Sequence, residues 1–581
     1  MSSIGTGLNA GALKLQIYNN FRGVDFTDES VSESRSPDAL NMWKNYKTLG
    51  KRIETRPGIV ERLTREYTIF GLFFYTINDV DHMIIHEGVK LYDYNMSTGV
   101  TTTLKSSGMN PRKSVGFVFN NIFFIKDGLN YLEYNGTTIK DVEGTIPNIA
   151  IHNLASGETK MIQEANLLTD YATEEYLCDG VKITYNLSQK NVSNVTIWDI
   201  TNVTPTQITT GFTIDTTEGK VIFNIAPTNG KIYRIKYSKA SDGANMIKKC
   251  TLACLFDNRV FFSGNKDYPN MLIWCGLNDP RYVGVTSYAT QGGDVSQIKA
   301  LVPGNNALWV FKEPSQENTT IFYNVPLEVY DAKLEQTIKT YGSSHSSIST
   351  GCLSTGINFN DDICFFSDRG LEGISSDITT EQAIAHRSTL VDSKLLSETN
   401  YKDLTLAEWE GYLLVAIDNR VYLADSHQKV QNNDHIEYEW FYWDLGVPIS
   451  VMKEHKGILY IGTKESNSTS KIYTLTDVRA NREIESYWCT KKDDFGYPQM
   501  LKTTNKKGFK SEVSGTTIKI ETKLDNNEFV ELGTFTNTKG YIVTKLKRKK
   551  WNKMQLKYSS TLPFGIYSVV VESYIGSYVK R

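Results

Sequence analysis

The sequence predicts an all-β chain: a β-propeller of about seven blades, with an inserted immunoglobulin-like β-sandwich and a C-terminal β domain. Three observations carry this prediction. Apolar residues recur with a period of two, in runs of five to seven separated by polar turns of two or three residues. The hairpins repeat, with Met83, Ile122, Val260, Ala307, Ile363, Tyr412 and Ile458 marking inner strands about 40–55 residues apart, the spacing of propeller blades. The gap between Ile122 and Val260 is the exception; it is about 90 residues longer than its neighbours and leaves room for a further domain. A lone small sheet cannot cover both its faces, so such blades must pack radially.

Residues 1–65 lack the repeat. SRSPDALNMWKNY, from Ser34, reads as a short helix: Ser36 caps it, Pro37 takes the first turn and Asp38 favours the dipole. Within ETRPGIVERL, Ile59–Leu63 is placed to give a strand to the last blade and latch the ring.

Residues 66–148 hold the first blades. GLFFYTINDVDHMIIHEGVKLYDYN, from Gly71, reads strand, turn, strand, Glu-Gly turn, strand. FVFNNIFFIKDGLNYLEYNG is a meander of Phe117–Phe119, Ile122–Ile125 and Leu129–Tyr134, turning at Asn120-Asn121 and at Lys126-Asp127-Gly128. Residues 149–245 alternate cleanly through GVKITYNL, VSNVTIWDI and GFTIDTTEGKVIFNIAPTNGKIYRIKY, with Asn229-Gly230 as a hairpin turn; they form the inserted sandwich.

Blades resume over 246–484, turning at Asp257-Asn258, Asn305-Asn306, Asp361-Asp362, Arg369-Gly370, Glu410-Gly411, Asp418-Asn419 and Lys456-Gly457. In RVFFSGNKDYPNMLIWCGLNDPRYVG, Val260–Phe262 and Met271–Trp274 are the second and third strands of one blade, and NDPRY is its outer-edge turn. Residues 485–581 alternate strongly again, as in IKIETKLDNNEFVEL and FGIYSVVVES, and read as a separate small β domain.

The chain has 581 residues and a formal net charge of −2, so no global excess draws it to nucleic acid or an anionic membrane. Its seven cysteines, odd in number and without a CxxC pair, suit a reducing compartment. The N-terminal residues lack the basic head and apolar run of a signal peptide, and no 18-residue apolar stretch occurs. No HExxH, Gly-x-Ser-x-Gly or Walker pattern is present. His82 and His86 share a strand and stand too far apart for a common zinc. The Asp-rich turns lack calcium-loop spacing, and SDRGLEG at Ser367 does not fit the boxes of propeller glycosidases. Tyr268, Trp274 and Asp279 are the candidates for a small-molecule site, against the simpler reading of that stretch as one blade. Two carboxylates meeting at the ring centre stay open as a catalytic arrangement.

One charge cluster stands out. KLKRKKWNK sets Lys545, Lys547, Arg548, Lys549, Lys550 and Lys553 around Trp551. It reads either as a salt-sensitive contact to a phosphate backbone or as a solvated edge strand whose lysines block edge-to-edge pairing.

Four stretches then carry a resemblance: FRGVDFTDESVSESRSPDALNMWKNY from Phe21, ETRPG from Glu54, FFSGNKDYPNMLIWCGLNDPRY from Phe261 and SYWCTKKDDFGYPQMLKTT from Ser486. With the order of modules, they make the chain similar to bacteriophage tail-hub or nozzle proteins, often labelled packaged-DNA stabilisation proteins. The resemblance implies a structural virion protein of the tail, assembled in the host cytoplasm. It implies a ring, commonly of six subunits, below the portal and connector, continuing the DNA channel and retaining packaged double-stranded DNA until ejection. The partners it implies are further copies of the chain, the portal or connector, and other tail proteins reached by the inserted domain. It implies no enzyme activity, cofactor or membrane segment. The alternatives are a tail-associated receptor or glycan-binding propeller that stacks sugars on turn Tyr and Trp, and a propeller glycosidase.

Overall fold

The computed structural model describes the chain apart from residues 1–12, 48–51, 78, 154–156, 317–318, 333, 347–349, 375–383, 433–434, 477–482, 545–549 and 579–581, and the side chains of 346, 430–432, 435–436, 505–507, 537–539 and 577–578. The fold is a β-propeller. Seven four-stranded meanders span 69–105, 115–141, 252–290, 298–346, 356–386, 405–444 and 449–476, the last completed by a strand from the N-terminal segment. Met83, Ile122, Val260, Ala307, Ile363, Tyr412 and Ile458 each lie in the second strand of their blade.

The turns explain why these runs form hairpins. Asn120-Asn121, Asp257-Asn258, Asn305-Asn306, Glu410-Gly411 and Lys456-Gly457 hold positive φ at both central positions, the geometry whose twist matches that of the strands it joins. Asn and Asp tolerate this region better than other residues with a Cβ. Two turns sit one residue earlier than expected. Asn360 and Asp361 take the positive φ values while Asp362 opens the next strand, and the later turn is Asp368-Arg369, with Gly370 already in a strand.

The chain forms two compact units. In the unit spanning Phe70–Phe365, the first strands of successive blades abut, so they are innermost. Apolar clusters fill the spaces between the blade sheets. Tyr75, Ile84, Phe123 and Ile125 bridge blades 1 and 2, and Phe261, Trp274, Leu308 and Phe322 bridge blades 3 and 4. Close approach needs small residues on the inner strands. A Cβ on Gly116 would lie 2.7 Å from Cδ1 of Phe73 and 2.8 Å from Cζ of Phe123, so the glycine is what lets these rings in.

Residues 148–238 of this unit form a two-sheet sandwich of six and three strands around a shared core that includes Ile149, Tyr176, Tyr185, Ile197, Val221, Phe223 and Ile235. The strand Asn148–Asn153 runs parallel to its neighbour Tyr171–Leu177, unlike the antiparallel four-plus-three division of a constant-type immunoglobulin domain. A six-residue helix, Gly243–Lys248, leads back to blade 3; period-two reading did not anticipate it.

The other unit contains Met1–Ile69, Phe366–Asp377 and Gln382–Arg581. Gly58–Arg65 pairs antiparallel with Ser470–Thr476, with Ile59 opposite Leu475 and Leu63 opposite Ile472, and so supplies the fourth strand of blade 7. The expected helix after Ser36 is not formed. Arg35–Ser36, Ala39–Leu40 and Met42–Trp43 are short strands instead. Ser36 Oγ accepts from Asp38 N and donates to Asp38 O, and Asn41 sits at φ 57°, which ends any helix there. Tertiary pairing overrides the capping pattern, because Met42 and Trp43 lie opposite Thr55 and Glu54, and Ala39 lies opposite Trp488.

Residues 485–581 likewise do not build their sheet alone. The ten-stranded sheet interleaves Leu13–Tyr18, Ala39–Leu40, Met42–Trp43 and Ile53–Thr55 with the C-terminal strands. Two-residue strands carry no periodicity of their own and are stable only against a distant partner, so the sequence marks no such joint.

Candidate functional site

The basic run is the sequence-predicted site. Lys545, Lys547, Arg548 and Lys549 lie outside the described residues. Lys550 is exposed and Trp551 buried in a two-residue strand paired with Met500–Leu524, Trp551 facing Lys502 and Lys550 facing Thr503. Trp551 anchors the run. Its Nε1 donates to Thr504 Oγ1 at 3.0 Å, and Phe495 packs edge-on against its ring at 5.1 Å. Beyond it, Asp525 Oδ1 accepts from the backbone N–H groups of Asn552 and Lys553, each at 2.8 Å. Lys502 Nζ, fully buried, donates to Tyr497 O at 2.5 Å and to Asn552 O at 2.8 Å. Burial lowers its pKa to about 8, against the pull of Asp494, Asp493 and Asp525. Trp551 is thus held beside an interior lysine, while Lys550 is exposed.

Global charge hides the context of this run. Residues 486–581 hold eighteen Lys and Arg against eight Asp and Glu, a net of +10, and the rest of the chain carries −12. Several of these lysines are paired, Glu29 being a partner from outside the segment. Lys492 and Lys523 pair with Glu29, Lys519 with Glu521, and Lys510 with Glu572. Lys557 stacks on the ring of Tyr487. A domain-by-domain charge count would have found the imbalance in the sequence.

The other candidates are dispersed. Trp274 is buried between Phe261 and Tyr341, Tyr268 is exposed, and Asp279 accepts from Thr145 Oγ1 and from Arg281 N. Of the three, Trp274 borders a cleft of about 380 Å³ shared with Arg259, Tyr282, Leu334 and Lys339, and the other two do not. NDPRY serves the architecture. Asn166 takes part in a bridge with Gly284, and its side chain contacts Arg281 O and Val283 N, which ties the inserted domain to blade 3. On the inner strands of blades 6 and 7, Glu408 is pushed up by burial despite Lys453, while Glu454 caps Gly457 of its own turn.

His82, His86 and His152 each have hydrogen-bond partners within their own sheets or turns. His82 Nδ1 donates to Asp93 Oδ1 at 2.8 Å. His86 is buried, its Nε2 donating to Gly88 O, and burial lowers it to about 4. In the sandwich core, burial alone would raise the Glu174 carboxyl; hydrogen bonds from His152, Tyr237, Ser188 and Tyr176 bring it below the ordinary carboxylate range. Burial pushes the thiol of Cys250 up to about 11, and those of Cys254, Cys275 and Cys489 up to about 12, so none is a poised nucleophile. No group of three or more His, Cys, Asp or Glu among the described residues has the geometry of a metal site.

His386 gives a pH prediction. Burial lowers its pKa, but Asp392, 2.5 Å from Nε2, and Glu372, 3.3 Å from Nδ1, outweigh that and lift it to about 9. A raised histidine stabilises the fold fully below its unfolded pKa near ~6.5, and this contribution fades as pH rises through the folded value. Thermal unfolding of the wild type is expected to fall in Tm between pH 6.5 and 9, and His386→Gln is expected to flatten that slope. An identical slope in the variant would remove this role.

Three exposed aliphatic side chains crown one end of the inserted sandwich: Val181, Val203 and Ile225. Register places their loops beside the strand ends Leu177, Asp199 and Ile232, opposite the ends at Asn148 and Ser238 where the chain enters and leaves. Asp179 Oδ1 holds the first loop by accepting from Val181 N and Lys182 N.

No known family matches the sequence, and no curated protein matches it. Solved structures similar to it include BamB from Moraxella catarrhalis, with 9% identity, 71% of this chain and 97% of that chain covered and a TM-score of 0.33. The β-propeller domain of Cps50 (Swd1) from Myceliophteria thermophila shows 8% identity, covers 73% of this chain and 100% of its own, and has a TM-score of 0.32. YCF48 bound to D1 peptide shows 9% identity, with 74% and 100% covered and a TM-score of 0.33. At such identities the likeness is one of fold alone.

Proposed function

We propose that the chain is a structural subunit of a phage tail hub or nozzle, working as a ring that continues the DNA channel and retains the genome until ejection. The observation that carries this reading is where the family-like wording falls. Arg22 and Arg35 grip Glu439, Asn41 and Arg56 tie to Asp444, and Trp43 packs into blade 6. Phe21 packs on Trp488 of the SYWC stretch, and NDPRY docks the inserted domain. These stretches make joints, as suits a protein whose work is to hold its shape under load, and Trp274 and Tyr282 of one of them also border the cleft beside blade 3. The apolar loop tips of the sandwich suit contact with a neighbouring tail protein.

The basic run is the proposed contact to DNA phosphates. A Lys547→Ala/Arg548→Ala/Lys549→Ala variant is expected to fold and assemble normally but to release packaged DNA at lower salt than wild-type particles, because fewer phosphate contacts remain. Genome retention unchanged across a salt series would sink the DNA contact.

A further inference from the structure

An antiparallel sheet with one face on the core ordinarily alternates apolar inside with polar outside. The outer face of the ten-stranded sheet departs from this. Register puts Leu13, Leu15 and Ile17 opposite Tyr574, Glu572 and Val570. It then aligns Val570 with Lys510 and Ser568 with Glu512, and these in turn with Val543 and Tyr541. Residues directly opposite in adjacent strands project to the same side, so one face gathers side chains from four strands. The alternate residues, among them Tyr18, Val569, Val571, Phe509, Val513 and Ile542, are buried on the other face.

The outer side chains are open: Leu13 is 52% exposed, Leu15 50%, Ile17 48%, Val543 46% and Tyr541 69%. With Tyr574 they expose on the order of 500 Å² of apolar surface, in the upper part of the range for the largest patch of a monomer, which is often functional, and more than half of the roughly 800 Å² each partner contributes to a stable interface. A groove of about 430 Å³ lined by Ile17, Tyr541, Tyr567 and Val570 crosses the patch.

We propose that this face seats a second copy of the chain. Charge decides between occupants. The segment 486–581 carries a net of +10, yet among the described side chains of the patch the charges are Lys510, paired with Glu572, and Glu512. A face for an anionic membrane or a nucleic acid would concentrate the lysines of this domain, whereas the described side chains of this one include a single lysine, Lys510, and it is paired. The strands on either side, Leu13–Tyr18 and Val530–Thr544, pair on one edge only among the described residues, so a second copy can pack on the face without displacing a strand of the first.

The inference rests on the reading that copies of the chain assemble, and names the surface that joins them. The test is the mass of the full-length protein by light scattering and sedimentation over a concentration series, comparing the wild type, Leu15→Asp/Tyr541→Asp, and Val203→Asp. Both positions of the double variant are half exposed or more, so it is expected to keep the wild-type circular dichroism and melting. The proposal expects concentration-dependent assembly of the wild type and of Val203→Asp, and at least a tenfold weaker association of the double variant. If the double variant assembles like the wild type, the face is overturned while the ring reading stands. A wild type that stays monomeric at every concentration overturns the face as a self-contact. So does assembly that appears only once residues 1–12 are deleted, which makes those residues its cover. Flotation of the wild type, but not the double variant, with anionic vesicles would overturn it in favour of a membrane.

Discussion

Trp43→Ala is expected to destabilise its unit by about 3–5 kcal/mol, the range for removing a large aromatic from a packed core. Trp43 is 2% exposed although it lies in a two-residue strand. Its ring stacks on Trp409 at 5.3 Å, meets Trp443 edge-on at 5.7 Å and lies 5.7 Å from Tyr412. Removing it leaves a cavity where blade 6 meets the N-terminal segment. Hydrogen exchange is the direct readout: amides of Ile53–Thr55, paired to Met42 and Trp43, should lose protection before the inner strands of blade 6. Trp43→Phe should recover most of the loss. A melting temperature within a degree of wild type for Trp43→Ala would mean that the segment is not a structural joint.

Glu439→Ala is expected to cost about 3 kcal/mol, for a different reason: it strands the half-buried charges of Arg22 and Arg35. The Glu439 carboxylate is fully buried. Its Oε1 lies 3.0 Å from Arg22 Nε and accepts from Arg35 Nη2 at 2.9 Å, while Oε2 accepts from Arg35 Nε at 2.9 Å. Asp25, 3.7 Å from Arg35 Nη1, is the nearest substitute and cannot reproduce the paired geometry. Glu439→Gln keeps the shape and one acceptor oxygen, so it should lose less. Denaturant unfolding at fixed pH orders the three proteins, and equal stability of Glu439→Ala and wild type would contradict the assignment.

How much of this could be read beforehand differs by region. The blades were legible because each hairpin writes its own signal: Asn120-Asn121 or Asp257-Asn258 is a local choice that fixes a local turn. The anchors fell on second strands for the same reason. The N-terminal clamp was not legible, because Val24 pairs with Trp440 and Ala39 with Trp488, more than 400 residues away in sequence. Ser36 offered a helix-cap pattern, and the partners that overrule it are absent from its own stretch. The tether of the basic run was half legible: the sequence shows Trp551 among lysines, but that Lys502 and Asp525 fix the backbone beside it follows only from the sheet. The apolar outer face could not be read at all, since Leu13, Leu15 and Ile17 look like any amphipathic strand until register shows which side the core takes.

The proposed role makes this chain a building part of a tail, placed around the DNA path. Electron cryomicroscopy of purified particles carrying the chain tests that most directly. The account predicts density for the propeller repeated about the tail axis below the portal, with copies in contact and DNA running through the middle. Density for it only at the tip of a fibre, or particles that keep their genome and tail geometry without it, would contradict it.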